Sequence, residues 1–294
     1  MNHTTGKQFR HLVKHAAPLP IMGAINAYAA MLVERAGGQA LYLSGAGVAN
    51  ASYGLPDLGM TSLTEVLEDV RRIRGACALP MLVDIDTGWG HAFQIARAIR
   101  LMESAGVAAV HIEDQVGAKR CGHRPNKAIV AMQEMGDRLK AAVDARQDES
   151  FVIMARTDAY ANEGLNATLD RAAYYVEQGA DMLFPEALTH LEYYQAFAAL
   201  GVPILANITE FGRTPLFTRA DLQSVGVSMA LYPLSAFRAM SQAASEMYQT
   251  ILQEGTQATL VDKMQTREAL YDVLGYRAYE ESLDNIDLER KNGR

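Results

Sequence analysis

Cysteine is almost absent. Two occur in 294 residues, Cys77 and Cys121, so no disulfide framework holds this fold, and such scarcity suits a reducing cytoplasm. Positive charge is also short, with Lys+Arg 27 against Asp+Glu 34 for a net charge of -7. With no basic cluster, the chain lacks the footprint of a nucleic-acid binder. A mildly acidic protein can still take anionic substrates, because a site carries its own local field. No apolar run reaches the length of about eighteen residues that a membrane span needs. The first twenty residues lack the apolar core and small-residue cleavage site of a signal peptide. A soluble, cytoplasmic protein is expected. Internal repeats, low-complexity tracts and domain linkers are missing, as is a clean G-x-G-x-x-G after the first strand.

What the chain does have is apolar residues, 49% of the total, arranged in short runs at regular spacing. Strands are expected at 19–26, 40–45, 79–86, 108–114, 151–158, 181–186, 202–209 and 227–234. Most are nearly continuous apolar runs ending in a polar residue, as strands buried on both faces read. Helical patterns separate them. Ser62 with Glu65 has the spacing of a capping box, followed by Leu63, Val66, Leu67 and Val70 at helical intervals. Gly75, Gly106, Gly179 and Gly201 fall near helix ends, where a left-handed residue is common. Eight such units predict one (β/α)8 TIM-type barrel domain over 1–294. A helical extension at about 235–294 comprises one helix from Ser235 to Glu254 and another from Asp262 to about Lys291. A helix appended to a complete barrel needs a surface to cover, and a neighbouring subunit is one option.

Active sites of such barrels lie at the carboxyl ends of the strands. Polar residues stand at nearly every such end here: Ser44, Asp84 and Asp86, His111 with Glu113 and Asp114, Arg156 with Asp158, Glu186, and Asn207 with Thr209. Asp84 and Asp86 are the sharpest pair. Residues two apart on a strand share a face, and two carboxylates aimed into one cavity repel unless a cation lies between them. Mg²⁺, which takes oxygen ligands and keeps waters, suits them. The plainer alternative has one acid capping the next helix and the other in a salt bridge. His111 and Glu113 repeat the spacing, as a packed histidine or as an acid holding metal waters.

The loop KRCGHRP (119–125) places Cys121 among Lys119, Arg120, His123 and Arg124. Positive neighbours lower a thiol pKa and make the sulfur reactive, and Gly122 lets backbone approach a ligand. Lys119–Asn126 is charged and is expected to order only over bound ligand. Cys77 reads as helix-end packing. Arg156, Arg238 and Arg267 are candidate carboxylate clamps.

KRCGH (119–123) closely resembles the signature of the isocitrate lyase / phosphoenolpyruvate mutase superfamily. HIEDQVGAKRCGHRPNK (111–127), VIMARTDA (152–159), DMLFPEA (181–187), PILANITEFG (203–212), MALYPLSAFRAM (229–240) and MQTREALY (264–271) resemble its branch acting on 2-methylisocitrate. The resemblance runs from about Ala24 to Glu281. It implies a homotetramer exchanging a C-terminal helix, and Mg²⁺-assisted cleavage of 2-methylisocitrate to pyruvate and succinate in propionate breakdown. Asp84 and Asp86 would hold the metal, with Glu113 nearby, and Cys121 would be the acid/base. Tyr42 and Asp57 also match functional positions, and either one or a metal-bound water would take the hydroxyl proton. Ser44, Gly45 and Ala46 would cradle a carboxylate on backbone donors. Gly122, Arg156, Glu186, Asn207, Ile208, Thr209, Arg238 and Arg267 would line the substrate site. Phe184, Leu231 and Pro233 are apolar candidates for the methyl pocket. Where the family often reads Ser-Gly-Gly-Gly, this chain reads SGAG (44–47). Isocitrate cleavers of the superfamily are generally longer, and its phosphonate and oxaloacetate enzymes generally lack the cysteine. A non-catalytic barrel should have lost some of these positions, and none is missing.

Overall fold

The computed structural model describes residues 4–16, 18–124 and 127–291. The parts of the expected domain and Cys121 loop that fall on 1–3, 17, 125–126 and 292–294 lie outside the described residues.

All eight expected strands form: β1 Leu19–Gly23, β2 Leu41–Leu43, β3 Met81–Asp84, β4 Ala109–Glu113, β5 Val152–Thr157, β6 Met182–Pro185, β7 Leu205–Asn207 and β8 Met229–Tyr232. They pair in parallel in the order β6-β5-β4-β3-β2-β1-β8-β7. A parallel bridge between Leu183 and Ile204 joins β6 to β7 and closes the sheet into a barrel. The strands are shorter than their apolar runs, because the polar residue ending each run turns inward at the barrel mouth.

Helices return the chain between strands: α2 Ala27–Arg35, the short turn α3 Gly45–Gly47, α4 Leu63–Ala76, α5 Ala92–Ser104, α6 Met132–Ala145, α7 Tyr160–Glu177, α8 Leu191–Ala198 and α9 Arg219–Ser224. The capping box of α4 is present in both directions. Gly106, Gly179 and Gly201 take the left-handed backbone expected of helix ends. Gly75 does not; it lies inside α4, whose cap is the extended Cys77.

Side-chain alternation divides the core in two. Leu41, Val83, Val110, Ile153, Leu183 and Ala230 point outward to the helices. Leu19, Ile21, Tyr42, Leu82, Met154, Phe184 and Leu231 fill the barrel interior. The interior is plugged by α1, Thr5–His15, a helix not expected from the sequence. Its Phe9 and Val13 belong to the interior cluster. Arg10 fastens it to the start of β5 and to Asp181, donating to the Ser150 carbonyl at 2.8 Å and to Asp181 at 2.8 Å. Phe9 is fully buried, so Phe9→Ala is expected to cost about 3–5 kcal/mol in urea unfolding. A loss below about 1 kcal/mol would mean that the plug closes no core.

The chain resolves into two compact units, Met1–Phe237 and Arg238–Arg294. Helix α10 (Ser235–Glu254) begins in the first unit, and the second continues from it to a 3-10 turn at Ala258–Lys263, then α11 (Arg267–Leu274) and α12 (Tyr276–Lys291). The single helix expected from Asp262 is therefore broken, because Gly275 takes the left-handed conformation that ends α11. Lys263 pairs with Glu246 at 2.7 Å within this unit.

Candidate active site

The inward-facing residues at the carboxyl ends of the strands form one buried polar layer. Its floor is the Phe184 ring, 5.0 Å beneath the Arg156 guanidinium and 5.2 Å from His111. Phe184 and Leu231 are both fully buried in the barrel interior. They are packing layers under the site, not the walls of an open methyl pocket.

On the β2–β3–β4 side, Asp84 and Asp86 converge. A Cβ built on Gly45 would lie 3.0 Å from Asp86 Oδ1 and 3.1 Å from Asp84 Oδ2, so both carboxylates face one point and only glycine fits beside them. The Gly45 N–H donates to Asp84 at 3.1 Å. The expected carboxylate cradle at Ser44–Ala46 is thus partly spent on the fold, since one of its backbone donors holds Asp84. Asp86 adopts φ 48, an uncommon backbone for a non-glycine residue, and its N–H donates to Asp84 Oδ1 at 3.0 Å. The Tyr42 hydroxyl lies 2.9 Å from His111 Nε2 and donates to Asp84 at 3.4 Å.

On the β5–β6–β7 side, Arg156 is the hub. Its Nε lies 3.2 Å from Glu113 and 2.9 Å from Asp158, and its Nη2 lies 3.0 Å from Glu186. The Asn207 amide donates to Glu186 at 3.3 Å. Arg156, expected as a substrate clamp, is committed to three carboxylates and acts as their counter-ion. Ile208 is corrected too. Strand alternation turns it outward into the helix-facing core, and its N–H donates to Leu231 at 2.8 Å, while Asn207 and Thr209 keep the inward direction.

The Cys121 loop folds down over this layer. The Lys119 ammonium contacts Asp86 and lies 2.9 Å from Asp57. Lys127 donates to the Gly122 carbonyl at 2.6 Å and pairs with Asp158 at 2.6 Å. Gly122 presses against the Arg156–Glu186 pair so closely that a Cβ there would sit 2.3 Å from Arg156 Nη2. Gln115 holds the Arg120 backbone from both sides at 2.9 Å. The charges of the loop are thus its anchors in this closed arrangement. The thiol expectation is corrected. Burial pushes the Cys121 pKa up, and Asp57 and Glu186 add to this. Lys119, the expected activator, is occupied by Asp86 and Asp57.

Charge is unbalanced here. Six carboxyl groups, Asp57, Asp84, Asp86, Glu113, Asp158 and Glu186, meet three cations, Lys119, Lys127 and Arg156. Fully ionised, the cluster would carry three negative charges in excess. The environment responds at the metal-facing acids. Burial, then the Asp84 charge, raises Asp86 to about 6. Burial also raises Glu113 well above the carboxylate range, and its Oε1 has no hydrogen-bond partner. Asp84 stays low, because His111, Lys119 and Arg156 outweigh its burial. Burial lowers His111 to about 4, so it is neutral at pH 7. Among the described residues no cluster of three or more His, Cys, Asp or Glu forms a complete metal-ligand set. The converging Asp84–Asp86 pair, the orphaned Glu113 oxygen and the excess of negative charge fit a hard divalent cation that keeps part of its water shell.

A cavity of about 600 Å³ reaches the cluster at Asp86 and Lys119, with Trp89, Arg97 and Arg138 in its wall. Arg238 and Arg267 belong to the C-terminal unit, not to the barrel unit that carries this layer. Lys119, His123, Lys127 and Asp158 take part in it; Asp158 had been read as a strand-end residue and Lys119 and His123 as neighbours of the thiol, none of them with these partners. The signal for Asp158 and Lys127 was the inward parity with Arg156 and the charge of the loop; nothing in the sequence paired them.

A family model described as phosphoenolpyruvate phosphomutase matches residues 9–252. The 2-methylisocitrate lyase of Escherichia coli (strain K12) is 60% identical over 286 residues, covering 97% of each chain. The chain belongs to the isocitrate lyase / phosphoenolpyruvate mutase superfamily. The crystal structure of 2,3-dimethylmalate lyase, another member, superposes with a TM-score of 0.87 at 29% identity, covering 100% of this chain and 97% of that one. Phosphonopyruvate hydrolase, solved in complex with oxalate and Mg²⁺, gives a TM-score of 0.83 at 26% identity, covering 95% of this chain and 98% of that one. Within the superfamily the chain is a lyase, since curated relatives at 58–60% identity over nearly its whole length are lyases.

Proposed function

We propose that the chain cleaves 2-methylisocitrate to pyruvate and succinate, with Mg²⁺ held by Asp84 and Asp86 and Cys121 as the acid. The observation that carries this reading is the convergence of the two carboxylates beneath the loop that carries Cys121. The near-complete match to relatives named for that reaction supports it. Cleavage breaks the bond between the hydroxyl-bearing carbon and its neighbour. The hydroxyl proton leaves to a base, the carbonyl forms on the pyruvate side, and the electron pair stays on the carbon that becomes succinate. When bound, Mg²⁺ supplies Lewis-acid stabilisation to the oxygen that gains charge. Asp84 and Asp86 hold it, and Glu113 offers an acceptor for its water. Tyr42 and Asp57 both stand as bases for the hydroxyl proton; without the cation, burial and then Asp84 hold the Tyr42 phenol well above its usual pKa. A thiol raised in pKa is protonated at neutral pH and hands its proton to the carbanion. The closed loop excludes water from that carbanion.

The C-terminal unit carries exposed Tyr248, Leu252, Tyr279 and Leu283. We assign this apolar surface to helix exchange in a homotetramer; light scattering giving a monomer mass would rule that out.

The reaction is tested by product. Pyruvate and succinate from 2-methylisocitrate are expected to form about ten- to two-hundred-fold more efficiently than glyoxylate and succinate from isocitrate, the worth of one methyl contact. EDTA is expected to abolish both activities and excess Mg²⁺ to restore them. Equal or faster glyoxylate release would overturn the substrate, and full turnover in EDTA would overturn the metal.

A further inference from the structure

One side chain of the loop has a set of contacts that the reaction itself does not call for. His123 is the point where the loop meets β6, β7 and the segment after β7. Its Nε2 lies 3.1 Å from Glu186 Oε1, and its Nδ1 accepts the Arg213 backbone N–H at 3.0 Å. An imidazole nitrogen that accepts a backbone N–H carries no proton of its own. The ring proton is therefore on Nε2 and donates to Glu186. The Asn207 amide sits 3.4 Å from Nε2 and turns its donor to Glu186.

The segment that receives the ring is built for it. A Cβ on Gly212 would stand 2.8 Å from His123 Nδ1 and 3.0 Å from Thr209 Cγ2, so glycine is needed for the backbone to come this close. Phe211, just before it, is held at φ 61, a strained backbone that persists only where the surroundings fix it. Glu210 is gripped from the other side by the Ser235 hydroxyl.

We propose that His123 is the positioning residue that latches the Cys121 loop shut, clamped between the Glu186 carboxylate and the Gly212–Arg213 backbone. Gln115 and Lys127 hold the two stems of the loop. His123 ties the tip, two residues from the thiol, to β6 and to the segment after β7, next to the Lys127 bridge from the Gly122 carbonyl to Asp158. Because Glu186 also pairs with Arg156, the latch engages the polar layer that faces substrate. The proposal rests on reading this loop as the cover of the active site.

The chain's two cysteines give a direct test, since Cys77 is buried in the helix-facing core and Cys121 is partly exposed on the loop. Iodoacetamide labelling of the metal-free, substrate-free protein, resolved by peptide mass, is expected to be about tenfold faster or more at Cys121 in His123→Leu and in Gly212→Ala, with Cys77 unchanged. His123→Gln, which keeps one donor and one acceptor, is expected to fall back toward the wild-type rate. In turnover, the two disruptive variants are expected to lose kcat more than they raise KM. Unchanged Cys121 labelling in both would overturn the latch. So would Cys77 labelling that rises in parallel, which marks general loosening, or a glutamine variant no slower than leucine. Labelling needs no substrate, so failure of the lyase assignment would leave this result readable.

Discussion

Cys121→Ser is expected to bind substrate within a few-fold of wild type and to lose about 10²–10⁴ in kcat, the range that positioned proton transfer contributes. The thiol is partly buried, and its pKa is raised by that burial and by Asp57 and Glu186. It is therefore a neutral donor at pH 7 that becomes a thiolate only after giving up its proton. A serine hydroxyl is smaller and far less acidic, so it keeps the loop closed but donates poorly to a carbanion. Loop closure itself does not use the sulfur: Lys119, Gly122, His123 and Lys127 make the contacts that seat the loop. Pre-steady-state mixing with 2-methylisocitrate separates the outcomes. A serine variant that keeps most of kcat would move the acid role to another group, and one that loses affinity in proportion to rate would make Cys121 a binding residue.

The barrel was legible in the sequence because each buried strand was a short apolar run with one polar residue at its end, and that residue is the one that turns inward at the mouth. The same alternation located Asp84, Glu113, Arg156, Glu186 and Asn207, while Tyr42 came from the resemblance. Alternation equally predicts that Ile208 faces outward; resemblance alone had placed that residue in the site. What the sequence hid was partnership. Arg156 read as a clamp for substrate, but three carboxylates from three strands claim its guanidinium. Lys119 read as an activator of its neighbour Cys121, but its ammonium is taken by Asp86 and Asp57. Helix α1 was missed for a different reason. Its apolar face, Phe9 with Val13, is short, and the surface it covers exists only once the barrel has closed. The break at Gly275 was readable as a helix stop, but the apolar spacing on either side masked it.

The metal pair makes the last prediction, in which activity and stability move in opposite directions. Asp86→Asn is expected to reduce turnover by about three orders of magnitude or more, the scale of losing a metal ligand and its transition-state charge, while leaving the metal-free protein at least as stable as wild type. Asparagine keeps the shape and tolerates the left-handed backbone at φ 48. It removes a carboxylate that the fold holds at a cost: burial and Asp84 raise its folded pKa to about 6, against the 3.8 of an ordinary aspartate. A raised folded pKa means that the folded state holds this proton more tightly than the unfolded state. The associated stability is present at low pH and is lost as pH rises through about 6. In EDTA, the stability of Asp86→Asn minus that of wild type should therefore grow between about pH 4 and pH 6 and then level off. The total is on the order of 2–3 kcal/mol, because each pH unit between the folded and unfolded pKa is worth about 1.36 kcal/mol. His111, lowered to about 4 by burial, acts in the opposite sense over the same range, but it is common to both proteins and cancels in the difference. Lys119 keeps a partner in Asp57 at 2.9 Å, so the substitution does not leave a lone buried ammonium. With Mg²⁺ added, wild type should gain thermal stability by mass action and the variant should not. A stability difference independent of pH would remove the strained-carboxylate account of Asp86, and an equal Mg²⁺-induced rise in Tm would place the cation elsewhere.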